Sequence, residues 1–128
     1  MRGEGEVVDR DTEPVVRDRA ALEARYLQLV RHDLPEAARR GRWVLRLDHC
    51  FGRVLLDDAV GGCWYDVLGR GRTPAFRRLS DDRLVHAVAT GEGLLVAGPE
   101  EGGRRLVELD ARSLAWRGKP PKTPRTRT

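Results

Sequence analysis

Residues 46–66, RLDHCFGRVLLDDAVGGCWYD, hold both cysteines of the chain and its densest mixture of apolar and ionisable side chains. Asp48 is a residue type that caps helices, and the pair Gly61–Gly62 is typical of a helix end. The pattern therefore predicts a helix over residues 49–60. Its inward stripe would consist of Phe51, Val54 and Leu55. A strand over residues 53–56 is the alternative, because short apolar runs fit either structure.

Helical patterns also dominate on both sides of this stretch. Residues 18–32 carry apolar side chains at helical spacing, and residues 33–41 combine Asp33, proline and glutamate in a typical first turn. Ser80 followed by two aspartates predicts a further helix start, and residues 106–115 predict a last helix. The residues of these helices that we expect to face the core are Leu22, Tyr26, Leu29, Val30, Leu84, Val85, Val88, Leu106, Val107, Leu109 and Leu114.

These elements predict an all-α fold, a compact single domain of four or five short helices. One brief strand near residues 43–47 is an open alternative, and residues 61–79 are expected to form a long connection. At 128 residues the chain is long enough to bury a core of its own. We expect an acidic disordered head at residues 1–13, the helical domain at 14–116 and a basic disordered tail at 117–128.

The net charge of +4 is unevenly distributed along the chain. Residues 1–13 carry −3, residues 14–116 carry +2 and residues 117–128 carry +5. A flexible basic tail attracts phosphate backbones by counterion release, but such binding is weak and blind to sequence. The 22 arginines against two lysines reflect coding composition more than function.

No apolar run reaches the roughly 18 residues that a membrane span requires, and the N-terminus is acidic where an export signal would be basic. These features predict a cytoplasmic protein with no membrane partner. Cys50 and Cys63 are too few for a disulfide framework, so we expect two free thiols.

On a helix over residues 49–60, His49, Arg53 and Asp57 would share one face. One interpretation is a buried ion pair between Arg53 and Asp57, with His49 serving only structure. The other is a pocket for an anion or polar ligand, in which Arg53 binds the ligand and Trp64 or Tyr65 forms a wall. The sequence leaves both interpretations open.

Arginines also cluster in two places beside aromatic residues, the pattern expected of a phosphate-facing surface. The alternative is an ordinary solvated surface. The candidate contacts are Arg39, Arg40, Arg42 and Arg46 near Trp43, and Arg70, Arg72, Arg77 and Arg78 near Phe76.

Other chemistry is weakly indicated. A cysteine nucleophile beside His49 would need a base and an orienting group that sequence adjacency does not supply. The cysteines and histidines lack metal-ligand spacing, and no glycine-rich phosphate motif is present, so we expect no metal and no cofactor. Residues 94–107 loosely match the hairpin of helix-hairpin-helix DNA-binding modules, but Glu100 and Glu101 would repel phosphate there.

Two segments carry a resemblance to other proteins. The core HCFxRVxLDxxxGxxWY over residues 49–65 and the segment SLxWRGK over residues 113–119 resemble a group of small uncharacterised bacterial proteins. The resemblance spans residues 22–119 and implies a self-contained bacterial domain without implying an activity.

The function predicted from these observations is that of a non-enzymatic binding or accessory protein. It would contact nucleic acid or an acidic protein through its arginine clusters and basic tail. The alternative is a small enzyme or ligand-binding domain centred on His49, Arg53, Asp57 and Trp64.

Overall fold

The computed structural model describes residues 18–46 and 48–118, and the regular structure in these ranges is helical. The all-α prediction is confirmed. The described residues near 43–47 form no strand, and Leu47 lies outside the described residues. The predicted acidic head, and the tail from residue 119 onward, also lie outside them.

The first two helices are continuous. Helix α1 (Arg19–Gln28) begins after Asp18, whose carboxylate accepts the amide of Ala21, and a π-helical turn over Leu29–Asp33 leads into α2 (Leu34–Gly41). Helix α2 begins directly after Asp33, as predicted, but the Asp33 side chain makes no cap, because its carboxylate accepts hydrogen bonds from Arg25 and Gln28. A wider turn suits the adjacent Pro35, which cannot donate a backbone hydrogen bond.

The central segment forms helix α3 (Phe51–Val60), two residues shorter at its start than predicted. Gly61 adopts the left-handed conformation (φ 72°) and ends the helix, as its sequence pattern predicted. The predicted long connection contains two short helices, α4 (Trp64–Leu68) and α5 (Ala75–Arg78).

The last element, α6 (Asp81–Trp116), is a helical hairpin in which Gly98 is the turn (φ 92°, ψ 177°). Its two arms are residues 81–97 and 99–116. Ser80 caps the first arm by accepting the amide of Arg83, as predicted. The second arm begins at Pro99, seven residues earlier than predicted, because proline fits the first helical turn.

Helix α3 lies at the centre of the domain and makes its most extensive contacts with α6. The predicted stripe residues Phe51, Val54 and Leu55 are buried, with Leu29 and Leu84 packed in the same core. A Cβ at Gly91 would lie 3.1 Å from Leu29 and 3.3 Å from Leu55. The glycine therefore lets the first arm approach α1 and α3 closely.

The indole of Trp43 packs against the hairpin next to its turn. Its Nε1 donates to the Pro99 carbonyl at 2.7 Å. Cβ atoms at Gly41, Gly102 and Gly103 would each lie within 3.0 Å of the indole. The indole therefore fits there because these three residues have no side chain. This contact joins the segment after α2 to the turn of the hairpin.

Candidate functional site

The guanidinium of Arg53 is only 3% exposed and is satisfied by protein groups. It donates to Asp110 at 2.7 Å, to the Ser113 hydroxyl at 2.8 Å and to Asp48 at 3.1 Å. The second oxygen of Asp110 accepts the backbone amide of Arg46 at 2.8 Å. Arg53 therefore ties α3 to the second arm of α6 and to the segment before α3.

The carboxylate of Asp57 is fully buried and has four donors. Oδ2 accepts from the Ser113 hydroxyl at 2.6 Å and from Arg117 Nε at 2.7 Å. Oδ1 accepts from the Trp64 amide at 2.9 Å and from Arg117 Nη2 at 3.2 Å. Hydrogen bonding to Asp57 raises the pKa of Arg117 against the opposing effect of burial.

Arg53 and Asp57 therefore belong to one buried network, but they do not form the direct ion pair that the sequence predicted. Ser113 joins them by accepting from Arg53 and donating to Asp57. Both charges are covered by residues of the same chain, and neither faces a cavity large enough for a ligand among those found in the described residues.

His49 lies apart from this network. Because α3 begins at Phe51, His49 is exposed and outside the helix. It helps to line an apolar groove of about 270 Å³ that lies between α2 and the start of α3. The residues of the groove are Pro35, Ala38, Arg39, Trp43, Leu45, His49 and Phe51.

Trp64 and Tyr65 pack over the end of the network. Their rings meet edge to face at 5.4 Å, and the guanidinium of Arg70 lies 4.3 Å from the Tyr65 ring centroid. Arg117 lies 5.0 Å from the same centroid while it binds Asp57. The Tyr65 ring therefore lies against the cation of the ion pair between Arg117 and Asp57.

The first arginine cluster lies on α2 and the turn that follows. Arg39 and Arg40, with side chains 67% and 75% exposed, share the one carboxylate of Glu36. Arg42 is exposed in a left-handed conformation (φ 59°) at the end of α2. Arg46 is exposed, and its backbone amide binds Asp110.

In the second arginine cluster, Arg78 holds the chain between α4 and α6. Arg78 donates to three backbone carbonyls, those of Leu68, Gly69 and Thr73. Arg77 lies 3.8 Å from Glu23, and Arg72 is exposed. Arg70 packs on the Tyr65 ring and Arg78 is half-buried. The second cluster therefore has fewer exposed guanidiniums than the first.

Sequence reasoning missed Asp110, Ser113 and Arg117 as members of the network. A signal was present, because residues 106, 109, 110, 113 and 114 have the spacing of one helix face, and Asp110 and Ser113 interrupt its leucines. Buried polar residues on an apolar stripe require partners. The charge pattern predicts that Arg117 is part of the tail, but its contact with Asp57 places it in the folded domain.

The two cysteines differ in environment. Cys50 is exposed and Cys63 is buried, and both are free. Within residues 18–46 and 48–118 no group of three histidine, cysteine or acidic residues is placed to hold a metal ion. No helix among the described residues is long and apolar enough to cross a membrane.

No protein-family model matches the chain, and neither a curated protein nor a solved structure matches it.

Proposed function

We propose that this protein is a non-enzymatic, cytoplasmic binding protein that contacts nucleic acid through an arginine face beside the apolar groove. The arginine face consists of Arg31, Arg39, Arg40 and Arg42. The observation that carries the proposal is the sharing of Glu36 by Arg39 and Arg40, which leaves an excess of exposed positive charge next to Trp43. Cations beside an aromatic groove suit a phosphate backbone with accessible bases.

The surroundings of this face also favour an anionic partner. Arg31 and Arg39 line one shallow hollow, and Arg42 lines another that adjoins Trp43. The nearby carboxylate of Asp33 is already bound by Arg25 at 2.7 Å. Glu100 also lines the second hollow, so the side of the face that favours a phosphate is the one formed by Arg31 and Arg39.

The basic residues after Gly118 would add to the binding. Lys119, Lys122, Arg125 and Arg127 follow it in the sequence. Four more cations would strengthen attraction to a polyanion without adding sequence preference.

The chain contains its own control for the arginine face. Glu101 binds Arg104 and Arg105 with the same spacing that Glu36 has to Arg39 and Arg40. The groove beside that second triad contains Glu108 and no aromatic residue. The two triads therefore match in local charge and differ in the features that suit a nucleic acid.

The test is fluorescence anisotropy with labelled single-stranded and duplex DNA over a series of salt concentrations. We expect the double variant Arg39→Gln/Arg40→Gln to weaken binding and to lower the salt slope by about 2, close to one unit per arginine. Arg104→Gln/Arg105→Gln should bind as the unmodified protein does. Equal binding by both double variants, or a flat salt response, would contradict the proposal.

Polyglutamate, tested in the same way, separates nucleic acid from an acidic protein as the partner. Binding to polyglutamate but to neither DNA would assign the arginine face to an acidic protein instead. Removal of residues 119–128 measures the contribution of the tail separately, and it leaves Arg117 in place on Asp57.

A further inference from the structure

The N-terminus of α3 lacks a side-chain cap. Cys50 occupies the N-cap position in an extended conformation, and its side chain makes no cap hydrogen bond. Among the described residues, the amides of Gly52 and Arg53 have no acceptor. Asp48 does not fill this role, because its Oδ1 accepts from the Cys50 amide and from the Arg53 side chain. Two donors are therefore available beside the exposed Cys50 thiol.

A third donor lies at the same place. Tyr26 is 3% exposed, and its hydroxyl has no hydrogen-bond partner among the described residues. Oη lies 3.2 Å and Cys50 Sγ 3.7 Å from the position that a Cβ on Gly52 would occupy. The Tyr26 ring is held by stacking on Phe76 at a centroid distance of 5.2 Å.

The Tyr26 hydroxyl keeps its proton and can donate. Burial raises the pKa of Tyr26 well above its usual range, and the neighbouring Cys50 adds to the rise. A buried hydroxyl without a partner is costly, so its position beside Cys50 indicates an acceptor that the unmodified thiol does not provide. Thiol sulfur is only a weak acceptor.

An oxygen atom added to Sγ would supply that acceptor. In cysteine sulfenic acid the new oxygen is bonded to Sγ as the Oδ of aspartate is bonded to Cγ. Aspartate is among the best N-cap residues because its Oδ accepts amides of the first helical turn. The oxygen of the oxidised side chain can therefore accept amides of the first turn of α3, as an N-cap aspartate does.

We propose that Cys50 is an oxidation site for hydroperoxides, and that Gly52, Arg53 and Tyr26 hold the oxygen it gains. The Cys50 thiolate attacks one peroxide oxygen, so that an S–O bond forms as the O–O bond breaks. The leaving oxygen takes a proton and departs as water or an alcohol. The sulfur is oxidised by two electrons, and the peroxide is reduced by two.

The second cysteine is too far away to consume the product. Cys63 lies near Asp57, which accepts the amide of the next residue, Trp64, and Asp57 is about 10 Å along α3 from Cys50. A disulfide needs Cα atoms within about 7 Å of each other. The sulfenic acid on Cys50 therefore has no resolving thiol in the folded chain. Cys63 is also 4% exposed, which makes it an internal control for access.

The experiment treats the full chain with hydrogen peroxide and follows the mass, the dimedone-reactive position and the thermal unfolding midpoint. We expect one added oxygen on Cys50, a dimedone adduct there and none on Cys63, and a rise in Tm of about 4 °C, as expected for a new N-cap. Cys50→Ala should show no change in Tm with peroxide. Absence of oxygen on Cys50 while free cysteine is oxidised, or a Tm that stays constant or falls, would overturn the proposal.

Two variants test the capping geometry. Tyr26→Phe should still be oxidised but should gain less in Tm than the unmodified chain. Cys50→Asp, which places an oxygen at the same position without peroxide, should raise Tm by a similar amount, about 4 °C. The Cys50→Asp variant tests the capping geometry even if Tyr26→Phe does not fold. A Cys50→Asp protein no more stable than Cys50→Ala would also overturn the proposal.

Discussion

Arg117 binds Asp57 with Nε 2.7 Å from Oδ2 and Nη2 3.2 Å from Oδ1, although 60 residues separate them in the chain. The carboxylate is fully buried, while the arginine side chain is 10% exposed. This pair fastens the end of α6 to the last turn of α3. Arg117 therefore belongs to the folded domain.

Two truncations should differ sharply in stability. A chain that ends at Gly118 should unfold at the same urea midpoint as the full chain, because it retains the pair between Arg117 and Asp57. A chain that ends at Trp116 should lose about 2 kcal/mol, because Asp57 stays buried with only Ser113 and the Trp64 amide as donors. Equal midpoints for the two truncations would contradict a structural role for Arg117.

Arg53→Met should destabilise the domain by about 3–5 kcal/mol, because it leaves the buried charge of Asp110 without its cation. Chemical denaturation measures the loss. The double variant Arg53→Met/Asp110→Leu should recover much of it, since an apolar pair carries no unpaired charge. A single variant that keeps full stability would argue for an open pocket and against a sealed network.

Gly102→Ala and Gly93→Ala should have opposite effects although both lie within α6. A Cβ at Gly102 would lie 2.5 Å from the Leu94 carbonyl oxygen and 2.7 Å from the Trp43 ring, so we expect a loss of about 1–3 kcal/mol.

At Gly93 the nearest atom is Arg105 Nη1, 4.0 Å away. Alanine there should stabilise the helix by about 0.5–1 kcal/mol. Thermal unfolding of the Gly102→Ala and Gly93→Ala variants measures both stability changes. A stabilising Gly102→Ala would show that Trp43 is not seated in the hairpin.

Asp33 should contribute stability that depends on pH. Hydrogen bonds from Gln28 and Arg25 hold its pKa below the usual value. The stabilisation is therefore present above the unfolded pKa of about 3.9 and is lost as pH falls through the lower folded value.

The variant Asp33→Asn should be less stable than the unmodified chain at pH 7, by under about 1 kcal/mol because the carboxylate is partly exposed. The two proteins should converge in acid. A constant difference from pH 7 into acid would contradict the assignment.

Local sequence patterns predicted much of the helical structure. Periodic apolar residues marked α1 and α3, Ser80 marked the start of α6, and Gly61 marked the end of α3. Each of these signals acts within a few residues through capping, backbone conformation or one buried face. The same local logic failed for the capping role of Asp33, because Arg25 and Gln28 of α1 bind its carboxylate.

By itself, the sequence determined the all-α class and the inward residues of α3, because helical periodicity and glycine stops are local properties. Only the tertiary structure decided that Asp110 and Ser113 bind Arg53 and Asp57, since both lie on an arm of α6 more than 50 residues away. It also separated His49 from them, because the helix starts two residues late. Ion pairs between distant elements depend on how the helices pack, and no spacing within one helix contains that information.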